Sequence, residues 1–165
     1  MSALGWVLGT FHAAAFALAF LLLVYPRGGL GAPFLDIGAL NGLAVFIALW
    51  MTTLFTTSRA IAGIDLLGER RAGFHLRALR WGGANGMLFY GCLAALVVVN
   101  AILSGAPAAS AGEILSAAAL YGSWPLAIAL VIGALSGVIL ATLDLAALRL
   151  ARAGTRPETN EPPAR

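Results

Sequence analysis

Four long runs without a formal charge set the pattern of this chain: Leu4 to Tyr25, Ile37 to Thr57, Trp81 to Leu103, and Pro125 to Leu148 with Asp144 as its one exception. At about 1.5 Å of helix per residue, runs of roughly 20 apolar residues each cross a hydrocarbon core of about 30 Å. The predicted elements are therefore four transmembrane helices over 4–25, 37–57, 81–103 and 125–148. The expected fold class is all-α, a polytopic four-helix membrane bundle forming one domain over 1–153, with a disordered cytoplasmic tail at 154–165.

The segments between the runs are polar or turn-forming. Pro26 to Asp36 (PRGGLGAPFLD) holds two prolines and three glycines, and Asp36 is placed to cap the second helix. Ser58 to Arg80 concentrates Arg59, Arg70, Arg71, Arg77 and Arg80 against Asp65 and Glu69, so it is read as a loop outside the lipid. Within it Ile61, Ile64, Leu67, Phe74, Leu76 and Leu79 recur at near-helical spacing, which predicts helical extensions lying against the headgroups. Ser104 to Gly112 is a flexible turn, and Ser110 followed by Glu113 fits a capping box. A helix unbroken from there to Arg152 would be about 60 Å long, twice the core. Gly122-Ser123-Trp124-Pro125 is accordingly expected to break it, giving a short outer interfacial helix before the fourth span. Thr155 to Arg165 has nothing to bury.

Composition sharpens this picture. Of 165 residues, 61% are hydrophobic and 10% charged, against roughly a quarter charged in soluble domains. All ten cations are Arg: five lie in the middle loop, four in or just before the tail, and one elsewhere. The positive-inside rule then places the middle loop and both termini in the cytoplasm, N-in/C-in. Trp6 and Trp81 at one interface and Tyr25, Tyr121 and Trp124 at the other agree. No cation precedes the first apolar run, so it is read as an uncleaved span. Arg without Lys, with abundant Ala and Gly, points to a GC-rich prokaryotic genome and hence to a multi-pass protein of its plasma membrane. The expected contacts are the bilayer, with anionic headgroups meeting the loop arginines, and no nucleic acid, because the basic residues flank the spans.

Small residues four apart, Gly5 and Gly9, Gly82 and Gly86, Gly133 and Gly137, mark faces where helix backbones can approach, within the bundle or in a homo-oligomer or membrane complex.

Candidate chemistry is sparse. Cys92 is the only cysteine, which excludes an internal disulfide, a dithiol pair and a Cys-rich metal site. GGLG at 28–31 lacks the Lys and Ser/Thr of a P-loop. There is no metal-ligand spacing, paired carboxylate or Ser/His/Asp pattern, so no metal, cofactor or catalytic residue is expected. His12 lies inside the first span, where an ionisable residue is a functional candidate. Haem would need a second ligand from Met51 or Met87, since His75 belongs to the loop. A neutral imidazole bonded to a neighbouring helix through a carbonyl, Thr or Asn is the favoured reading. Asn41, Asn85 and Asn100, with Thr52, Thr53, Thr56 and Thr57, form the other intramembrane polar set. They could line a path, but bonding to their own backbone or between helices is favoured. Asp144 is placed near the inner interface, where Arg59 or Arg80 is the expected partner.

The leading expectation is a non-enzymatic accessory, assembly or self-associating subunit. A small-solute or ion transporter or channel using His12 with Asn41, Thr52, Thr56, Asn85 and Asn100 is the alternative, and a membrane redox or lipid-modifying enzyme stands third.

Overall fold

The computed structural model describes residues 3–24, 38–62, 72–103 and 111–154. These are all-helical: α1 (Ala3–Val24), α2 (Ala39–Ile61), α3 (Ala72–Leu103) and α4 (Ala111–Gly154). Each contains a stretch long and apolar enough to cross a membrane, over Ala3–Leu22, Ala39–Ile61, Gly73–Asn100 and Gly122–Leu150. Phe11, Leu22, Leu40, Ile102, Ile139 and Leu150 point outward. Such an apolar exterior suits lipid and would be costly in water.

The start of α2 differs from expectation. Its N-cap is Gly38, with φ 84° and ψ 149° and no side-chain cap bond. Asp36 lies outside the described residues. Side chains rarely adopt such a positive φ, so glycine is what allows the chain to enter the helix here, and the Gly38 carbonyl accepts the Gly42 N–H at 2.9 Å. At the other end Arg59 sits in the last turn, where a cation complements the helix dipole. Arg77 then donates to the Ala62 carbonyl at 2.6 Å, tying the exit of α2 to the start of α3.

Two further expectations are corrected. Helix α3 begins at Ala72, and the apolar residues of its first turns divide: Leu76 and Leu79 stay exposed while Phe74 is buried. Phe74, 2% exposed, and Ala78 pack with Ile61, Ala141 and Leu145 in the buried core, so burial between helices takes these residues out of the interface. Helix α4 runs unbroken for 44 residues with Pro125 inside it, about 66 Å at the standard rise. Among the described residues no separate interfacial helix precedes the fourth span, since α4 is continuous from Ala111; Ser110 lies outside the described residues. Proline deletes one N–H, a defect that transmembrane helices absorb through local adjustment and neighbouring groups.

The close-packed pairs are α1 with α2, α2 with α3 and, most extensively, α3 with α4. Along α3 and α4 the partners run in opposite order: Ala78 meets Gly137, Gly82 meets Gly133, and Gly86 meets Ala129. The helices therefore pack antiparallel, backbone against backbone, with no side chain between them at these points. A methyl group on Gly82 would sit 2.9 Å from Gly137 Cα, and one on Gly9 of α1 would sit 2.9 Å from Leu54 Cα of α2. Gly5 is buried on the same helix. Since lipid offers no hydrophobic drive between helices, dispersion over such close surfaces is a main source of cohesion.

Candidate functional site

Three helices bring a polar cluster together inside the bundle. His12 is the tenth residue of α1, about 14 Å from its first residue, and Asp144 is about 15 Å before the end of α4. The two end-distances match, and the side chains meet: His12 Nε2 lies 3.1 Å from Asp144 Oδ2 and 3.2 Å from Oδ1. His12 Nδ1 lies 3.2 Å from Thr57 Oγ1 of α2. All three residues are buried, at 6%, 6% and 8% exposure.

Asp144 thus pairs with His12, not with Arg59 or Arg80. The membrane-length stretch of α4 runs over Gly122–Leu150, so Asp144 keeps its place near one end of that stretch; what differs from the expectation is its partner. Arg59 instead stacks over the Phe55 ring at 5.3 Å, and Phe55 meets Trp81 edge-on at 6.2 Å. Arg80 is exposed. Arg70 and Arg71 lie outside the described residues.

Beside the pair, Asn85 Nδ2 donates to Thr53 Oγ1 at 3.2 Å, linking α3 to α2. Both residues are almost wholly buried. A cavity of about 40 Å³ connects the two polar pairs, lined by His12, Thr53, Thr56, Thr57, Asn85 and Asp144 and walled by apolar groups that include Phe16 and Trp81. One water needs roughly 10–15 Å³ of such space, so the cavity has room for a few waters and none for an organic solute. Four of the six polar liners are hydroxyl or amide groups that both donate and accept hydrogen bonds.

Thr56, in the cavity lining, donates to its own helix at Thr52 O, 2.8 Å. The remaining sequence candidates are placed elsewhere: Thr52 donates to Leu49 O at 3.2 Å. Asn100 Nδ2 donates to Asn41 Oδ1 at 3.1 Å, a separate clasp between the far ends of α2 and α3. Ser58 Oγ is buried with no partner among the described residues. Among the described residues no group of three His, Cys, Asp or Glu could hold a metal ion.

Sequence reasoning had each of His12, Asp144, Thr57 and Asn85 in view but not their meeting, and it passed over Phe16 and Trp81 as cavity walls. Depth counted from helix ends was the usable signal for the first pair, because residues equally far from two ends on one side of a bundle lie at one level. No pattern in the sequence singled out the aromatic walls.

The fold and site define an all-helical protein with four membrane-length helices around a buried His–Asp–Thr cluster. Residues 1–161 match a family of unknown function (DUF7965), and the chain belongs to that family. No curated protein and no solved structure matches it.

Proposed function

We propose that this chain is a small multi-pass membrane protein that takes up and releases protons at His12 and Asp144, as a proton-conducting or proton-linked ion transport unit. The observation that carries the reading is the pairing of the ionisable side chains of α1 and α4 beside a cavity with room for a few waters and six polar side chains in its lining. Holding helices together does not require a carboxylate and an imidazole at this depth, where charge is expensive and marks ion or proton pathways. The cavity's size favours protons, water or a small ion over an organic solute. Purified protein in liposomes, under a potassium-diffusion potential with an internal pH dye, is expected to pass protons, and His12→Ala and Asp144→Asn to abolish the flux. Absence of flux through the parent protein at any imposed potential would sink the reading.

The proposed setting is the plasma membrane of a prokaryote, with both termini and the 58–80 segment on the cytoplasmic side. The Arg distribution supports it, and Arg59, Arg77 and Arg80 are exposed where anionic headgroups would meet them. A reporter fused after Arg165 should remain cytoplasmic.

The second reading is a non-enzymatic accessory or assembly subunit, alone or self-associated. It is favoured by the length of α4, about 66 Å against a core of about 30 Å, which leaves helix outside the lipid for a partner. Gentle purification at native expression level, with co-purifying proteins recorded, separates the two readings.

A further inference from the structure

We propose that Thr57 is the positioning residue of this site: its hydroxyl lets His12 alternate between neutral and protonated forms while both ring nitrogens stay hydrogen-bonded. The inference rests on the proton reading above and deepens it by naming the group through which the imidazole exchanges protons with the cavity.

The argument starts from donor and acceptor inventories. With Nε2 on the carboxylate, the ring presents Nδ1 to Thr57 Oγ1 at 3.2 Å. A neutral imidazole protonated at Nε2 donates to Asp144 and must accept at Nδ1; an imidazolium must donate at both positions. A carbonyl at the Thr57 position would serve only the second form, and an N–H only the first. A hydroxyl serves both by rotating, so neither form leaves a buried polar atom unpaired.

Thr57 also lines the cavity, which gives the exchange a complete course. A proton arriving from cavity water binds Thr57 Oγ1 as the hydroxyl's own proton passes to Nδ1. The Nε2 proton then moves to the Asp144 carboxylate. One proton enters and one is delivered; the threonine is regenerated, the ring ends as its other neutral tautomer, and the carboxylate becomes a carboxylic acid. Around the cavity α1 contributes His12 and α4 contributes Asp144, while α2 contributes Thr53, Thr56 and Thr57 and α3 contributes Asn85 and Trp81. Among the described residues the lining holds no other titratable or charged side chain that could replace this route.

The test compares the parent protein with Thr57→Val and Thr57→Ser in nanodiscs and liposomes. Imidazole ¹⁵N NMR at fixed pH reads the ratio of charged to neutral His12, and dye-reported flux is recorded across pH. Thr57→Val, close in shape but without the hydroxyl, should lower that ratio by a few-fold, the difference between losing a bond from the charged ring and losing one to the neutral ring. It should also slow the exchange of the ring N–H with deuterium, displace the pH profile of flux, and leave the melting temperature within a few degrees. Thr57→Ser should restore all three readouts. If Thr57→Val does not fold, Thr57→Ala is read in the same way. A ratio and exchange rate equal to the parent's in the hydroxyl-free variant would overturn the inference even if flux persists. If the parent passes no protons but its ¹⁵N signals respond to Thr57→Val as described, the transport reading falls and the role of Thr57 stands.

Discussion

Adding a single methyl group to Gly86 should be among the most damaging small changes this protein can suffer. The new Cβ would run into the Ala129 carbonyl oxygen and stand 2.7 Å from its carbon, where carbon atoms prefer about 3.5–4.0 Å. The obstacle is backbone, so no rotamer change relieves it, and α3 must retreat from α4 by close to 1 Å. That retreat would thin the contact along the whole Ala78–Gly86 face. An overpacking cost of about 1–3 kcal/mol is expected. Two controls isolate the cause. A methyl on Gly83 would meet Leu130 O at 3.5 Å, an ordinary contact, and one on Gly91 would meet nothing within 4 Å. Gly83→Ala and Gly91→Ala should therefore be neutral, or stabilising by up to about 1 kcal/mol through helix propensity. Reversible unfolding in mixed micelles, followed by tryptophan fluorescence, gives the three values. If Gly86→Ala unfolds at the same denaturant fraction as Gly91→Ala, the backbone-to-backbone packing described above is wrong.

A double-mutant cycle with His12→Ala and Asp144→Asn should give a coupling of about 1–2 kcal/mol, near the top of the range for intramembrane bonds, and a value indistinguishable from zero would mean the two side chains do not meet. Ser58→Ala removes a buried hydroxyl with no partner among the described residues and should be neutral or stabilising by up to about 1 kcal/mol in the same assay; a clear loss would show that the hydroxyl is bonded. Asn100→Leu removes the bond from Asn100 Nδ2 to Asn41 Oδ1 at 3.1 Å and should cost about 0.5–1.5 kcal/mol in the same assay; an unchanged unfolding midpoint would mean the two amides do not meet. Pro125→Ala should leave circular dichroism at 222 nm unchanged within error, because α4 is already continuous there; a rise would indicate a break at that position.

Much of the architecture could be read from the residues because lipid imposes blunt requirements. A crossing needs about 20 apolar residues whose backbone is satisfied internally, and the four runs meet that need without reference to one another. Relations between helices were harder. Gly82, Gly86, Gly133 and Gly137 advertise close approach, yet small residues carry no information about which partner they meet; that α3 and α4 use them on each other emerges only from the packed structure. The partner of Asp144 was missed because its position was counted along its own helix, whereas His12 comes from another helix 132 positions away in sequence. Phe74 and Ile61 were read as facing headgroups because periodicity defines a face but not what covers it. Thr57 was grouped with the other polar residues of the second span, whereas its partner, His12, is 45 positions away in sequence.

The glycine contact between α3 and α4 also divides the molecule mechanically. Two helices fitted main chain to main chain cannot slide without steric collision, so they behave as a stiff frame. Helix α1 packs most extensively on α2 and reaches the frame through a few side chains, Leu8 against the core around Phe74 and Ala141 and His12 on Asp144. Should the protein change shape as charge enters or leaves, α1 is the leaf free to swing, and His12 is its latch.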